Sequence, residues 1–272
     1  MALGSVQRTV DALVAGTGRR LAATTPASGD WLLVARDRYA RAYVALTRLR
    51  NELRYDAPPD PYRLIRVDPA EVQGMVGRDR PMYRAAGVVE DGDWDRADVR
   101  FDDTDVYRAY RAHFEDGVPW QDTDFYDRIL AELDSGRVRW GCATRAEFDA
   151  RCERLDDLYD AIASDGFRSQ AALAADGGGP LGERSRLPTE RHKREVAVHV
   201  GRDGAVLFAD GRNRLSIAKL LDLDSVPVRV LRRHADWQAV RDAVARGEAV
   251  DADPSHPDLP AGGGGESGTG GG

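Results

Sequence analysis

Five consecutive residues, Asp210-Gly211-Arg212-Asn213-Arg214, are the stretch of this sequence best equipped for chemistry. Two guanidinium groups flank an amide, and a glycine precedes them where a strand-like pattern gives way to a helical one. The first N–H groups of a helix have no partner within it and the helix dipole is positive at that end, so this composition describes an anion site. Arg212 and Arg214 are expected to grip a phosphate, through charge-assisted hydrogen bonds worth about 1.5–3 kcal/mol each. The plainer alternative is that Asp210 pairs with Arg214 and only fastens the loop. Asp210, His199 and His234 are the candidate proton carriers around it, although a lone histidine is more often structural. Lys219 either reaches a terminal phosphate or projects into solvent.

The loop must be positioned by the elements around it. Val196, Val198 and Val200 alternate with Ala197 and His199, which predicts a strand, and Gly201-Arg202-Asp203-Gly204 predicts a turn into a return strand at 205–208. After Gly211 the spacing of Leu215, Ala218 and Leu221 is helical. A helix of about two turns is marginal alone, so tertiary packing has to hold it. Residues 226–231 alternate as a closing strand, with Pro227 near its start, where proline is tolerated. The predicted order is strand, strand, helix, strand.

With these residues in view, the segment resembles the ParB N-terminal/sulfiredoxin-like superfamily, also described as ParB-like nuclease domains. Gly211 and Arg214 fall on that family's Gly-x-x-Arg loop, and Val226-Pro227-Val228 on its closing strand. Leu64-Ile65-Arg66-Val67-Asp68-Pro69 is similar to its opening strand, and residues 155–170, ending in Gly166 and Gln170, to the helix before its hairpin. The resemblance implies an α+β fold: a small mixed sheet with helices, its core at 62–70 and 155–232, split by a helical insert at 71–154. It also implies that the loop of Gly211, Arg212, Asn213 and Arg214 holds the phosphates of ATP, ADP or CTP, and Lys219, one turn into the helix, is the further candidate contact by position. Two departures narrow this. No cysteine lies in the loop, which argues against sulfiredoxin activity, and Asn213 stands where many enzymatic relatives carry histidine, replacing a titratable group by an amide.

Composition bounds the function. The chain has 272 residues, of which 42% are hydrophobic, enough for a substantial core in one or two domains. A net charge of −7 argues against a protein whose main task is coating nucleic acid, which requires clustered cations. Lysine occurs only at Lys193 and Lys219, while arginine and aspartate are abundant. Cys142 and Cys152 lack the spacing of a zinc or redox pair and are expected to be idle thiols. No apolar run is long enough to span a bilayer and the N-terminus lacks a signal-peptide core, so a cytoplasmic protein without a membrane role is expected.

The remaining segments are predicted as follows. Residues 1–56 form an N-terminal helical segment: a short amphipathic helix at 6–14, then a firmer, arginine-rich one from Asp30 to Arg54. In the insert, Tyr107, Tyr110 and Phe114, then Tyr126, Ile129 and Leu133, have helical spacing. Thr144 with Glu147 forms a capping box opening the helix through Phe148, Leu155 and Ile162. A last helix is expected at 236–247 and a disordered, glycine-rich tail at 251–272. Asp91-Gly92-Asp93-Trp94-Asp95 imitates a calcium loop but has Arg96 where glycine is needed. Its carboxylates Asp91, Asp93 and Asp95 either hold a magnesium ion that accompanies the phosphates or simply shape a turn. Trp94, Trp120 and Trp140 either pack the insert or stack on a base.

These residues favour a protein that binds phosphate or nucleotide, with a small-molecule phosphotransferase as its catalytic version, a nucleotide or phosphorylated small molecule as partner and the insert closing over the site. A DNA-associated ParB-like regulator or nuclease is the alternative. It is disfavoured because only one helix and a glycine-rich tail follow Leu231, where ParB proteins carry a helix-turn-helix. A third possibility is a non-enzymatic protein-interaction module built on the arginines between 36 and 54.

Overall fold

The structure, a computed structural model, describes residues 26–176 and 194–260. In chain order, helix α1 (Pro26–Glu52) leads to β1 (Leu64–Val67), β2 (Gly74–Met75), the single turn α2 (Met82–Ala85), β3 (Val88–Glu90) and β4 (Val99–Arg100). Helices α3 (Asp105–Phe114), α4 (Asp124–Asp134), α5 (Arg145–Asp165) and α6 (Gln170–Ala175) follow. The chain closes with β5 (Val196–Val200), β6 (Val206–Asp210), α7 (Arg212–Leu220), β7 (Val226–His234) and α8 (Ala235–Ala245). The architecture is α+β around one mixed sheet.

Valine alternation dictates the centre of that sheet. Val196, Val198 and Val200 of β5 face the same side as Val226, Val228 and Val230 of β7, and Ile65, Phe208, Leu215 and Ala218 close the core over them. On the other face, Ala197, Ala209 and Leu231 pack against Met82 and Ala85 of α2. The strand order is β1-β7-β5-β6-β2-β4, and β3 also pairs with β7. β5 and β6 form the expected antiparallel hairpin, and β5 runs parallel to β7. One edge of β7 is shared by two strands: β1 pairs antiparallel with 226–229 and β3 parallel with 232–234.

A second core lies between α3, α4 and α5, where Tyr110, Phe125, Ile129, Phe148 and Leu155 meet Ile217 of α7. Thr144 caps α5 by accepting from the Glu147 N–H at 3.2 Å, while the Glu147 carboxylate accepts from the Ala143 N–H at 2.6 Å. Asn51 moors α1 by donating to Gly87 O at 2.8 Å. Among the described residues, no helix is long and apolar enough to cross a membrane.

Four boundaries differ from expectation. α1 begins at Pro26 rather than Asp30 and ends at Glu52, and the last helix ends at Ala245. Residues 71–154 are mainly helical as expected, but β2, β3 and β4 lie within them and join the sheet; strands of two or three residues are too short to show alternation. Residues 251–260 are not a disordered tail. β7 and α8 bury Arg233 and Arg241, and Asp258 folds back to meet them. Its carboxylate accepts from Arg233 Nε at 2.8 Å and Trp237 Nε1 at 2.9 Å, and its carbonyl from Arg241 Nε at 2.9 Å. Composition reads such a segment as solvated, whereas two buried guanidiniums require an acceptor. The short helix expected at 6–14 and the last residues of the tail, 261–272, lie outside the described residues.

Burial alone would raise the Asp258 carboxyl, but Arg233, Arg241 and the Trp237 indole together hold it below its ordinary 3.8. Its folded value being depressed, its contribution is complete above about pH 3.8 and is lost as pH falls further. Asp258→Ala should cost about 3–5 kcal/mol at pH 7 in urea unfolding, because both guanidiniums lose their carboxylate. The gap to wild type should narrow in acid below the ordinary carboxylate value; a gap unchanged with pH would show the carboxylate charge to be irrelevant.

Candidate functional site

α7 starts at Gly211, whose φ of 92° lies in the left-handed region. A side chain there would also collide with β5, since an added Cβ would sit 2.8 Å from Val196 Cα. Glycine is therefore required twice over, by dihedral and by contact. The Asp210 carboxylate accepts from the Gly211 N–H at 2.8 Å, and the first helical bond runs from Leu215 N–H to Gly211 O. The N–H groups of Arg212, Asn213 and Arg214 precede that bond, which is the geometry of an anion-binding helix start.

This turn lines a cavity of about 620 Å³. One face of α5 also lines it, with Arg151, Leu158, Ala161, Ile162 and Asp165 recurring at helical spacing. Trp140 closes one end and Leu173 of α6 contributes further apolar wall. Trp140 is held at φ 53°, an unfavourable left-handed conformation for a residue with a side chain, in a tight turn closed by the Arg139–Cys142 backbone pair. Its ring meets Phe125 edge-on at 4.9 Å, and Arg151 lies over it at 5.6 Å.

Five arginines line the cavity; beside Arg168, which pairs with Asp176, and the exposed Arg194, the other three are of two kinds. Arg214 is spent on the fold: Nη1 donates to Glu195 Oε2 and to Arg194 O, both at 3.3 Å, Nη2 donates to Arg168 O, and the guanidinium sits 4.2 Å over the Phe167 ring. Glu195 also accepts from the Gln170 N–H at 2.6 Å, so it caps α6 as well. Burial dominates both partners, pushing the Glu195 carboxyl up and the Arg214 guanidinium down, and each offsets the other in part. Asp210 is not the partner of Arg214; it pairs with Arg78 at 2.7 Å.

Arg151 and Arg212 are the other kind. Neither has a carboxylate partner among the described residues, and the Nε of each is buried without an acceptor. Arg212 makes one weak contact, Nη2 to Met75 Sδ at 3.8 Å. Behind them the Tyr110 hydroxyl is also buried and unpartnered, its ionisation pushed up by burial. Unmatched buried donors are costly, and those of Arg151 and Arg212 both belong to residues that line this cavity. No family model, curated protein or solved structure matches the chain.

Other residues singled out in the sequence lie elsewhere. Lys219 points away from the cavity, pairing with Asp102 at 3.1 Å and lying 5.6 Å over the Phe101 ring. His199 is buried on the far face of the sheet beside Trp94, with both ring nitrogens unpartnered. Burial, reinforced by Arg232, lowers its pKa to about 3, so it is neutral at ordinary pH. His234 caps α8, accepting from the Asp236 N–H through Nδ1 and donating to Gly92 O at 2.9 Å through Nε2. The Asp91 motif sits at the opposite end of the hairpin, where Arg202 binds Asp95 at 2.7 Å and Asp93 at 2.9 Å and holds Asp95 far below the ordinary carboxylate range. Asp91 caps the following amide. Among the described residues, no group of three or more metal-ligating side chains comes together. Trp94 packs under Arg232 and Trp120 donates to Asp156. Cys142 and Cys152 are buried free thiols, Cys152 pushed up to about 12 by burial.

Arg151 and Trp140 are thus the site residues that the motif did not mark. The signal for Arg151 was its spacing, seven residues before Leu158 on the same helix face. The two kinds of arginine separate by mutation. Arg214→Ala should lower stability by about 3–5 kcal/mol, since it strands Glu195 in the interior, whereas Arg212→Ala should cost less than about 1 kcal/mol. Equal losses in urea unfolding would contradict this division.

Proposed function

We propose that the cavity at the Gly211 turn binds a phosphorylated small molecule, with nucleoside phosphates such as ATP, ADP or CTP as the leading class. The observation that carries this is the pair Arg151 and Arg212, two guanidiniums that line one cavity at a helix start, each with a buried, unmatched Nε and no carboxylate partner among the described residues. Two guanidiniums and three free backbone amides suit several phosphate oxygens at once. The cavity is larger than inorganic phosphate needs and falls within the range for drug-sized ligands. Its remaining wall, Leu158, Ala161, Ile162 and Leu173, offers apolar surface, and Trp140 offers a ring to a base or sugar. The likeness of residues 210–214 to the phosphate loop of ParB/sulfiredoxin-like proteins points the same way.

Binding is better supported than phosphotransfer. Of the carboxylates on the cavity wall, Asp210 is engaged by Arg78 and Glu195 by Arg214, which leaves Asp165 as the group free to move a proton. Magnesium enters this reading as a counterion carried by the phosphates, since Asp93 and Asp95 are taken up by Arg202.

A thermal-shift series with ATP, ADP, CTP and GTP, with and without magnesium, tests the proposal. At least one should stabilise the protein, and Arg151→Ala and Arg212→Ala should each weaken its binding by at least about tenfold. No stabilisation at millimolar concentration by any of the four would sink the nucleotide assignment.

A further inference from the structure

α1 carries apolar residues on two opposite sides. Ala40 and Val44 are buried against the body of the protein, with Tyr43 edge-on to Tyr83 at 5.9 Å. The outward side repeats at intervals of seven, Tyr39, Leu46 and Leu53, the last in the turn that follows α1, with Leu49 three residues after Leu46; Tyr39 also meets Tyr83 edge-on at 6.0 Å. This side leaves Leu46 58%, Leu49 52% and Leu53 82% exposed. The register extends in sequence to Leu32, with Ala35 and Ala42 in the second seam position. A strict seven-residue repeat with a second apolar position three residues on is the narrow seam of paired helices; a helix lying on a membrane presents a broader apolar face.

The flanks of this seam specify what covers it. Arg36, Arg38, Arg50 and Arg54 are exposed, and none is paired with a carboxylate among the described residues. A second copy would set arginine against arginine. The chain's own segments outside the described residues fit no better: 1–25 carries Arg8, Arg19 and Arg20 against Asp11, and 177–193 carries Arg184, Arg186, Arg191 and Lys193 against Glu183 and Glu190. Residues 261–272 contain one charged residue, Glu266, and no large apolar one.

We infer that this face of α1 docks an acidic amphipathic helix of a partner protein. Leu46, Leu49 and Leu53 form the buried seam, and Arg36, Arg38, Arg50 and Arg54 pair with carboxylates on either side of the partner's own apolar stripe. Charge at such flanking positions selects the partner while the seam supplies the buried area.

The test uses two fluorescent synthetic helices with leucine at both seam positions, one with glutamate at the flanking positions and its twin with lysine. Titrated with the full-length protein, the acidic helix should bind at least about tenfold more tightly than the basic one. Leu46→Glu combined with Leu49→Glu should abolish binding, and Arg50→Glu combined with Arg54→Glu should erase the preference. All four side chains are exposed, so unchanged circular dichroism should accompany both variants. Equal affinity for the twins, or no binding of the acidic helix, overturns the inference. So does self-association in sedimentation that Leu49→Glu removes, or pelleting with phosphatidylglycerol vesicles while neither helix binds.

Discussion

The buried pair of Glu195 and Arg214 is the contact on which the site depends. Glu195 opens the hairpin and caps α6, while Arg214 lies in the first turn of α7 and reaches back to the segment that follows α5. One ion pair therefore fixes the relative positions of the sheet, the helical layer and the Gly211 turn. Desolvation makes such a pair a weak source of net stability. Its value is geometric: it sets where the helix start, and hence the neighbouring Arg212, stands relative to α5.

Division of labour among arginines recurs through the molecule. β7 buries Arg229, Arg232 and Arg233 in a strand that is inaccessible along its whole length, and each has an acceptor: Pro61 O, Glu90 and Asp258. A protein rich in arginine and poor in lysine can do this because a planar guanidinium keeps several directed donors when it leaves water. Against that background, Arg151 and Arg212 stand out as the two that line the cavity with a buried Nε unmatched.

What was legible in the sequence was local. The alternation of Val196, Val198 and Val200, the turn at Gly211 and the cap at Thr144 each depend on a few adjacent residues, and each appears in the structure where those residues place it. The motif at 210–214 marked a turn that lines the cavity, but not which of its arginines is tied to the fold, because that depends on Glu195, nineteen residues earlier in the chain. Arg151 was hidden by a helix legible first through its core stripe of Phe148, Leu155 and Ile162. Lys219 and the Asp91 motif misdirected because a charge run shows neither its facing nor its partner; Asp102 and Arg202 supply both.

The sheet's connectivity bears on the chain's birth. β5, β6, α7 and β7 lie within forty residues of one another and assemble from near neighbours, whereas β1 and β3 pair with β7 across some 140–160 positions. Synthesis runs from the N-terminus, so the outer strands leave the ribosome long before the strand that receives them exists. Ile65, Val67 and Phe101 then wait uncovered until the last quarter of the chain emerges. In this protein the template is made after the pieces it organises, and nascent chains would lean on chaperones through that interval.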